Sequence, residues 1–495
     1  MKSALILYPH QLFEAKHLPK VHTVFMVEEP VFFGSDREYP GHPHKQKLIL
    51  HRASMRRYIE EVLWPAEYNV EYIDLDVLYD TGDIIERAKG FDQLYFFDLV
   101  DEVLTKRILQ ARREHPKSPA IEFLASPNFY LKDLEIRQYL GERHEHLFDD
   151  FYQWQRERFN VLIGEDYKPV GGQWSFESDH KARVPKDQQL PSFGVFGDDK
   201  HTREAVEWVG KRFAENPGST DFIWPTNHAE ARQWLKDFVE HRLDLHGKYE
   251  DALDGQAAWL FHSALSSSLN IGLLSPQEVI AAALQRHAAR PVEIASLESF
   301  IRGILGWREF MRGQYLVKGN QLKTTNTFKH QRKLTRAWYD GTTGMPPFDD
   351  LIKKVNGHAY AHQNERLMIA GNLMLLCEIE PGDVYRWFNE LFIDSYPWVT
   401  IPNVYGMSQF GDGGAYGGKP YVSASNLILQ MSHYERGIWS DVWDGLFWRF
   451  VDKHRAVLQH NPRMRTMITR LDRLDPDRKR IISYRAEDFL NKFTA

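Results

Sequence analysis

Short apolar runs alternate with amphipathic stretches through the first part of the chain. Residues 4–8, 23–27, 70–73, 93–97 and 121–124 read as strands, and 46–63, 83–88 and 102–114 as the helices between them. That alternation predicts a parallel α/β sheet. Ligands of such sheets lie beyond the carboxyl ends of the strands, which directs attention to residues 8–12 and to the loop 28–47 (EEPVFFGSDREYPGHPHKQK). The loop suits either a small-molecule pocket or an ordinary solvated turn, and no phosphate-binding glycine motif accompanies it. From 128 to 225 the pattern loosens. Phe151, Tyr152, Trp154 and Phe159 mark an aromatic-rich helix, and 168–191 (KPVGGQWSFESDHKARVPKDQQLP) has the glycine, proline and charge of a connector. Its Lys181, Arg183 and Lys186 face solvent or nucleic acid. From 226 onward nearly every segment has helical periodicity. The expected division is 1–130, 131–225 and 226–495.

The helical part contains the densest chemistry. In 358–414, His362, Arg366, Ile369 and Leu373 recur at helical spacing, Pro381 and Gly382 interrupt, and Trp387, Leu391 and Asp394 share a second helical face. Charges on apolar faces are costly unless paired, so Arg366 and Asp394 are expected to form an ion pair beside a buried ligand. His358 and His362, four apart, would share a helical face. A zincin-type site needs Glu directly after the first His, however, and Ala359 stands there, so no metal is expected. In 260–275 (LFHSALSSSLNIGLLS), His262, Ser263, Ser266, Ser267, Ser268 and Asn270 gather near a helix start, as a phosphate site or as capping residues. Arg308 and Arg312 fall on one face of a helix in 299–315, to meet a ligand or acidic side chains. Lys323, Lys329, Arg332, Lys333 and Arg336 form the densest basic run, the best bed for a nucleic-acid backbone.

Composition narrows the class. A hydrophobic fraction of 43% with 26% charged residues is that of a globular protein, and 14 Trp, 22 Tyr and 30 Phe are an aromatic surplus suited to flat ligands. The formal charge of −6 excludes a globally basic nucleic-acid binder but not a local basic groove. The single cysteine, Cys377, lies in an apolar run and excludes an intrachain disulfide. The N-terminal apolar run is too short for a signal peptide, and no segment reads as a membrane span; a cytoplasmic protein is expected.

Five stretches, KPVGGQWSF (168–176), FIRGILGWREFMRG (300–313), HAYAH (358–362), RLM (366–368) and PNVYGMSQFGDGG (402–414), follow one another in an order that resembles the cryptochrome and photolyase family. The resemblance covers nearly the whole chain. It is nearest to the bacterial branch of (6-4) photolyases and related cryptochromes that is named for an iron-sulphur cluster. It implies an α/β N-terminal antenna domain with a Rossmann-like parallel sheet and a large all-α FAD-binding domain, joined by a long connector. By that resemblance His262, Ser263, Ser266 and Asn270 hold the FAD diphosphate. Phe300, Trp307, Arg308 and Arg312 line the flavin cavity, Arg366 and Asp394 pair beside the isoalloxazine, and Asn403 and Met407 close its other side. Trp387, Phe388 and Tyr339 stand where the branch has an electron relay. An antenna pigment resembling 6,7-dimethyl-8-ribityllumazine is implied in the N-terminal domain, with contacts at His10, Gln11, Glu38 and Lys47.

Two departures matter. Cluster-bearing relatives use four cysteines, whose positions here fall near Pro347 and in 431–448, and neither place holds one. One thiolate cannot hold a four-iron cluster, so none is expected, and Trp439, Trp443 and Trp448 are expected to fill the volume. Members that repair (6-4) lesions commonly carry two adjacent histidines, whereas His362 is followed here by Gln363, which cannot transfer a proton at neutral pH. The expected function is light-driven repair of a (6-4) lesion in UV-damaged DNA, with His362 as proton donor, in a monomer. DNA contacts are placed at Lys323, Lys329, Arg332, Lys333, Arg336 and Arg183. A blue-light receptor without repair, or a cyclobutane-dimer photolyase, are the alternatives.

Overall fold

The computed structural model describes residues 2–115, 117–143, 146–176, 182–414 and 420–495; Lys181 lies outside them. Five strands, β1 (Ser3–Leu7), β2 (Thr23–Val27), β3 (Val70–Ile73), β4 (Gln93–Phe97) and β5 (Ala120–Leu124), pair in parallel in the order β3-β2-β1-β4-β5. β1 sits at the centre and is buried along its length, which is why it reads as an unbroken apolar run rather than an alternating one. Helices α1 (Lys45–Tyr58) and α2 (Glu102–Glu114) belong to the crossovers; Asp101 caps the second by accepting from the backbone N–H groups of Val103 and Leu104.

The rest of the chain is helical apart from the connector, whose described residues between 161 and 198 form no helix or strand. Helices α3 (Ser266–Ile271), α4 (Ile294–Ile301), α5 (Arg308–Leu322), α6 (Pro346–His358) and α7 (Pro381–Leu391) build the part that matters for function. Among the described residues, no helix is long and apolar enough to cross a membrane.

Strand order reverses between β1 and β4, and the crevice expected at that point is where the two halves of the protein join. His10 pairs with the Leu99 carbonyl at 2.9 Å, Gln11 donates to the carbonyls of Phe97 and Asp98, and the Leu12 N–H donates to the Ile271 carbonyl at 2.9 Å. Gly272, at φ +90°, follows Ile271. A Cβ there would lie 2.6 Å from the Phe13 ring, so glycine is required for the close approach as well as for the backbone. Lys47 of α1 reaches across the joint and donates to the carbonyls of Asn389 and Ser395.

Arg312 corrects one expectation. It does not line the flavin cavity. It is 2% exposed, donates to the Leu131 carbonyl at 2.8 Å and to Asp98 at 2.9 Å, pairs with Asp133, and lies 4.3 Å from the Phe129 ring centroid. Its neighbour Glu309 accepts from the Tyr130 and Leu131 N–H groups, so α5 grips the segment that leaves the sheet. A buried cation is stable only with such partners, and those present are acidic side chains and a carbonyl. Arg312→Met should therefore lower the unfolding free energy by about 3 kcal/mol, read as a shift of the urea midpoint. A shift under about 1 kcal/mol would place the joint's stability elsewhere.

Candidate functional site: a cavity in the helical part

Four segments surround a cavity of about 300 Å³ in the helical part, at the lower end of the range for ligand pockets. The first is the loop into α3, where Leu260 and Ala264 take positive φ of 44° and 50°. It places His262, Ser263, Ser266 and Asn270 on the wall. The second runs from α4 into α5 through a π-helical stretch at 302–307 and contributes Phe300, Trp307 and Arg308. The third is 360–367, and the fourth, 394–408, contributes Asp394, Trp398, Asn403 and Met407. Two further π-helical stretches, 365–371 and 402–408, also border the cavity. Such stretches displace side chains from regular helical faces and recur at functional sites.

Arg366 and Asp394 form a bidentate pair at 2.9 and 3.0 Å. The Arg366 Nε–H donates to the Ala361 carbonyl at 2.7 Å, and the guanidinium lies 4.2 Å from the Phe392 ring centroid. Ser266 Oγ donates to Asp394 Oδ2 at 2.6 Å, Asn270 donates to the Asp394 carbonyl at 2.7 Å, and Arg308 donates to Asn270 Oδ1. Burial alone would raise the Asp394 pKa; the Arg366 charge and the bonds from Arg366 and Ser266 overcome it and hold the carboxyl below its usual range.

The hairpin geometry differs from the sequence expectation. α6 ends at His358, and Ala359 at φ 53° turns the chain out of the helix. His358 and His362 therefore do not share a helical face: His358 lies against Trp259, with ring centroids 5.2 Å apart, and His362 stacks on His262 at 4.2 Å with planes 11° apart. Asp394 lies three residues beyond the end of α7 rather than on it. No group of three or more His, Cys, Asp or Glu side chains able to hold a metal occurs among the described residues.

His362 is 3% exposed, and neither ring nitrogen has a hydrogen-bond partner; Nε2 is 3.5 Å from Glu365 Oε2. Burial, and then the positive charges of Lys354 and Arg366, push its pKa well below the ordinary imidazole range. Gln363 is exposed at the cavity rim. Glu365, not anticipated from the sequence, is 2% exposed and ion-paired with Lys354. Its signal was its position three residues after His362, where it accepts from the His362 N–H at 3.4 Å as in a capping box.

Phe388 lines the cavity, Trp387 packs on it at 4.9 Å, and Phe348 connects Trp387 (6.1 Å) to Trp338 (4.9 Å). The fully buried Trp338 was missed; Tyr339, its neighbour, is partly buried. The antenna contacts are not brought together. His10, Gln11 and Lys47 are buried in the joint and bonded to backbone carbonyls, whereas Glu38 lies in a separate surface hollow paired with Arg107.

The basic run is likewise no open cationic stripe. Lys323 pairs with Glu102, Arg332 with Glu378, Lys333 with Glu380 and Asp383, and Arg336 with Asp340, while Lys329 is exposed at φ 55°. Arg183 is exposed in a hollow with Lys186, His433, Tyr434 and Glu435. After Met431, Trp439 and Trp443 are buried and donate to the Glu435 and Ser423 carbonyls, and Trp448 borders a surface hollow.

Comparison with known proteins gives this geometry its context. The family of deoxyribodipyrimidine photo-lyase-related proteins matches residues 5–224, and the FAD binding domain of DNA photolyase matches 300–436. A (6-4) photolyase of Agrobacterium fabrum is 31% identical over 481 residues, 92% of this chain and 93% of the relative. The chain belongs to the photolyase and cryptochrome family. Another member, a deoxyribodipyrimidine photo-lyase of the same organism, is 27% identical over 72% of each chain. The fold is shared with the class III photolyase of Agrobacterium tumefaciens (TM-score 0.57, 17% identity, 91% of this chain and 86% of that one). It is shared also with an archaeal photolyase from Sulfolobus tokodaii solved with two FAD molecules (TM-score 0.52, 14% identity, 99% and 100%).

The photolyase cavity here fits FAD on its own chemistry. Aromatic side chains, Phe300, Trp307, Phe388 and Trp398, form its apolar lining, and the unpartnered buried atoms His262 Nε2 and Asn403 Oδ1 are free to bond a ligand. The depressed pKa of Asp394 has a measurable consequence. The pair's contribution is full above the unfolded carboxyl value of about 4 and is lost as pH falls through the folded one. Asp394→Asn should melt well below the parent at pH 7, with the gap closing toward pH 3. A gap independent of pH would show that the charge of Asp394 is not what stabilises the cavity.

Proposed function

We propose that this chain is a light-driven DNA-repair enzyme that reverses (6-4) pyrimidine lesions. The observation that carries the reading is His362, an imidazole with two unpartnered nitrogens in the wall of the cavity that contains the Arg366–Asp394 pair. The 31%-identical relative named as a (6-4) photolyase supports it.

Arg366 and Asp394 would hold the polar edge of the flavin ring, Ser263, Ser266 and Asn270 its diphosphate, and Asn403 and Met407 its far side, while His262, the fourth diphosphate contact expected from the sequence, stacks on the His362 ring. Reduced FAD, when bound and excited by blue light, supplies an electron to the lesion. The lesion must leave the duplex to approach, and a damaged base is extruded at lower cost than a paired one. His362 then provides the proton. Burial, and then the positive charges of Lys354 and Arg366, favour the neutral imidazole while the cavity is empty of DNA. Entry of a phosphate-bearing lesion brings negative charge close and raises the ring's proton affinity. Reversal of the adduct to two pyrimidines is an isomerisation with no net redox change, so the electron is given back to the cofactor and the proton to the ring at the end. Gln363 at the rim donates a hydrogen bond but no proton. Trp387 stands behind Phe388 for electrons that reduce the cofactor before repair.

A receptor role without repair is favoured by one observation, the pairing of most of the basic run with the chain's own carboxylates. Illumination of the reduced protein with oligonucleotides carrying each lesion, followed by chromatography, decides between the readings. Restored bases are expected from the (6-4) substrate, with at least a hundredfold loss in His362→Ala, as expected for removal of a general acid. Undiminished turnover in the variant with a dimer substrate would assign cyclobutane repair, and no repair of either lesion the receptor. Trp387→Phe should slow photoreduction of the oxidised flavin at least tenfold while leaving repair by chemically reduced protein near the parent rate. Equal photoreduction would remove Trp387 from the path.

A further inference from the structure

We propose that His262 and His362 act as one pair carrying a single proton, with the buried carboxylate of Glu365 as the positioning group that assigns the proton to His362. This rests on the repair reading above and adds two residues to it. The ring centroids are 4.2 Å apart with the planes 11° from parallel, and both rings border the cavity. Two imidazolium ions cannot be held face to face at that distance in a buried site, so the pair takes up one proton as a unit. A neutral ring face is in turn a favourable neighbour for the charged ring. The second histidine thus comes from the distant loop before α3, not from position 363, where Gln363 is exposed.

The surroundings decide which ring carries the charge. Glu365 Oε2 is 3.5 Å from His362 Nε2, and the same carboxylate is paired with Lys354 of α6, which also donates to the Asp254 carbonyl. His262 instead meets His246, with ring centroids 5.8 Å apart at right angles. Lys354 and Arg366 oppose the charge on His362, while Glu250 favours it on either ring. The carboxylate beside His362 alone tips the balance to that ring, with the Nε2–H directed at Glu365. Nδ1, which makes no full hydrogen bond, is the nitrogen that exchanges its proton with the lesion, and a backbone contact to Ala252 also favours the charged ring. On transfer the Nδ1–H bond breaks and a bond from hydrogen to the lesion's oxygen or nitrogen forms. His362 becomes neutral, Glu365 is held ionised by Lys354 against the burial that raises its pKa, and the proton comes back when the lesion opens.

The test needs no DNA. Flavin-loaded protein labelled with 15N-histidine is titrated by NMR, with the His362 signals assigned by their loss in His362→Asn. One proton is expected to enter the pair, on ring 362. Glu365→Gln should lower the midpoint by about one pH unit, a tenfold loss of proton affinity, and Glu365→Asp should restore most of it. His262→Ala should lower the midpoint and His262→Phe, which keeps a flat ring, should largely preserve it. Lys354→Met should raise it, and the repair pH profile should shift in parallel. Two separate proton uptakes of full size, or a His362 midpoint unmoved by both Glu365→Gln and His262→Ala, would overturn the pair. Normal titrations with no (6-4) repair would overturn the repair reading and leave the pair standing.

Discussion

The Arg366–Asp394 pair is the contact on which the site depends, because every segment around the cavity ends in it. Ser266 and Asn270 bring the loop and short helix of 260–271, the Ala361 carbonyl brings the strand-like turn after α6, and Phe392 brings the end of α7. Lys47 adds the sheet domain through the Ser395 carbonyl, one residue on. A buried ion pair seldom stabilises a fold more than apolar packing would, and its worth lies in specifying a single arrangement. Here it ties together the four segments just named. Burial lowers the Lys47 pKa to about 8, so even that remote clamp is a charge held in place by the carbonyls it bonds and the nearby Asp394.

The same economy governs the joint between sheet and helices. The crevice where strand order reverses is occupied by His10, Gln11 and the approach of Ile271, and Arg312 closes it from the helical side. Arg308 and Arg312 flank the Phe129 ring at 4.9 and 4.3 Å, yet one turns to the cavity and the other to the sheet. A single helix, α5, thereby ties cofactor geometry to domain geometry. Displacement of the sheet would be felt at Asn270, and through it at Asp394.

The sheet was legible because its strands β1 and β2, buried along their length, read as nearly unbroken apolar runs, and the observed limits of β2, β3 and β4 coincide with those read from the sequence. The ion pair was legible because two opposite charges on apolar segments have few other solutions. The histidine geometry was not. Spacing of four implies a common face only while the helix continues, and the left-handed turn at Ala359 has no sequence mark comparable to a glycine. The three π-helical stretches are equally silent, since one extra residue per turn leaves hydrophobic periodicity almost unchanged over six or seven residues. The pairing of the basic run was hidden for a different reason: apart from Asp340, its carboxylate partners, Glu102, Glu378, Glu380 and Asp383, lie far away in sequence.

Charges buried around the cavity interact more strongly than in water, which favours a cofactor whose chemistry is electron transfer and penalises an unpaired resident cation. The imidazole wall reconciles the two demands. A permanently charged acid would have to be balanced at all times, as Arg366 is by Asp394. On the proposed reading, a histidine that is neutral until a polyanionic substrate arrives needs a counter-charge only during turnover, and Glu365 is already buried beside it with Lys354 opposing the burial that raises its pKa. The acid group would then be a charge-neutral set, Lys354–Glu365–His362, whose proton affinity is set by what enters the cavity.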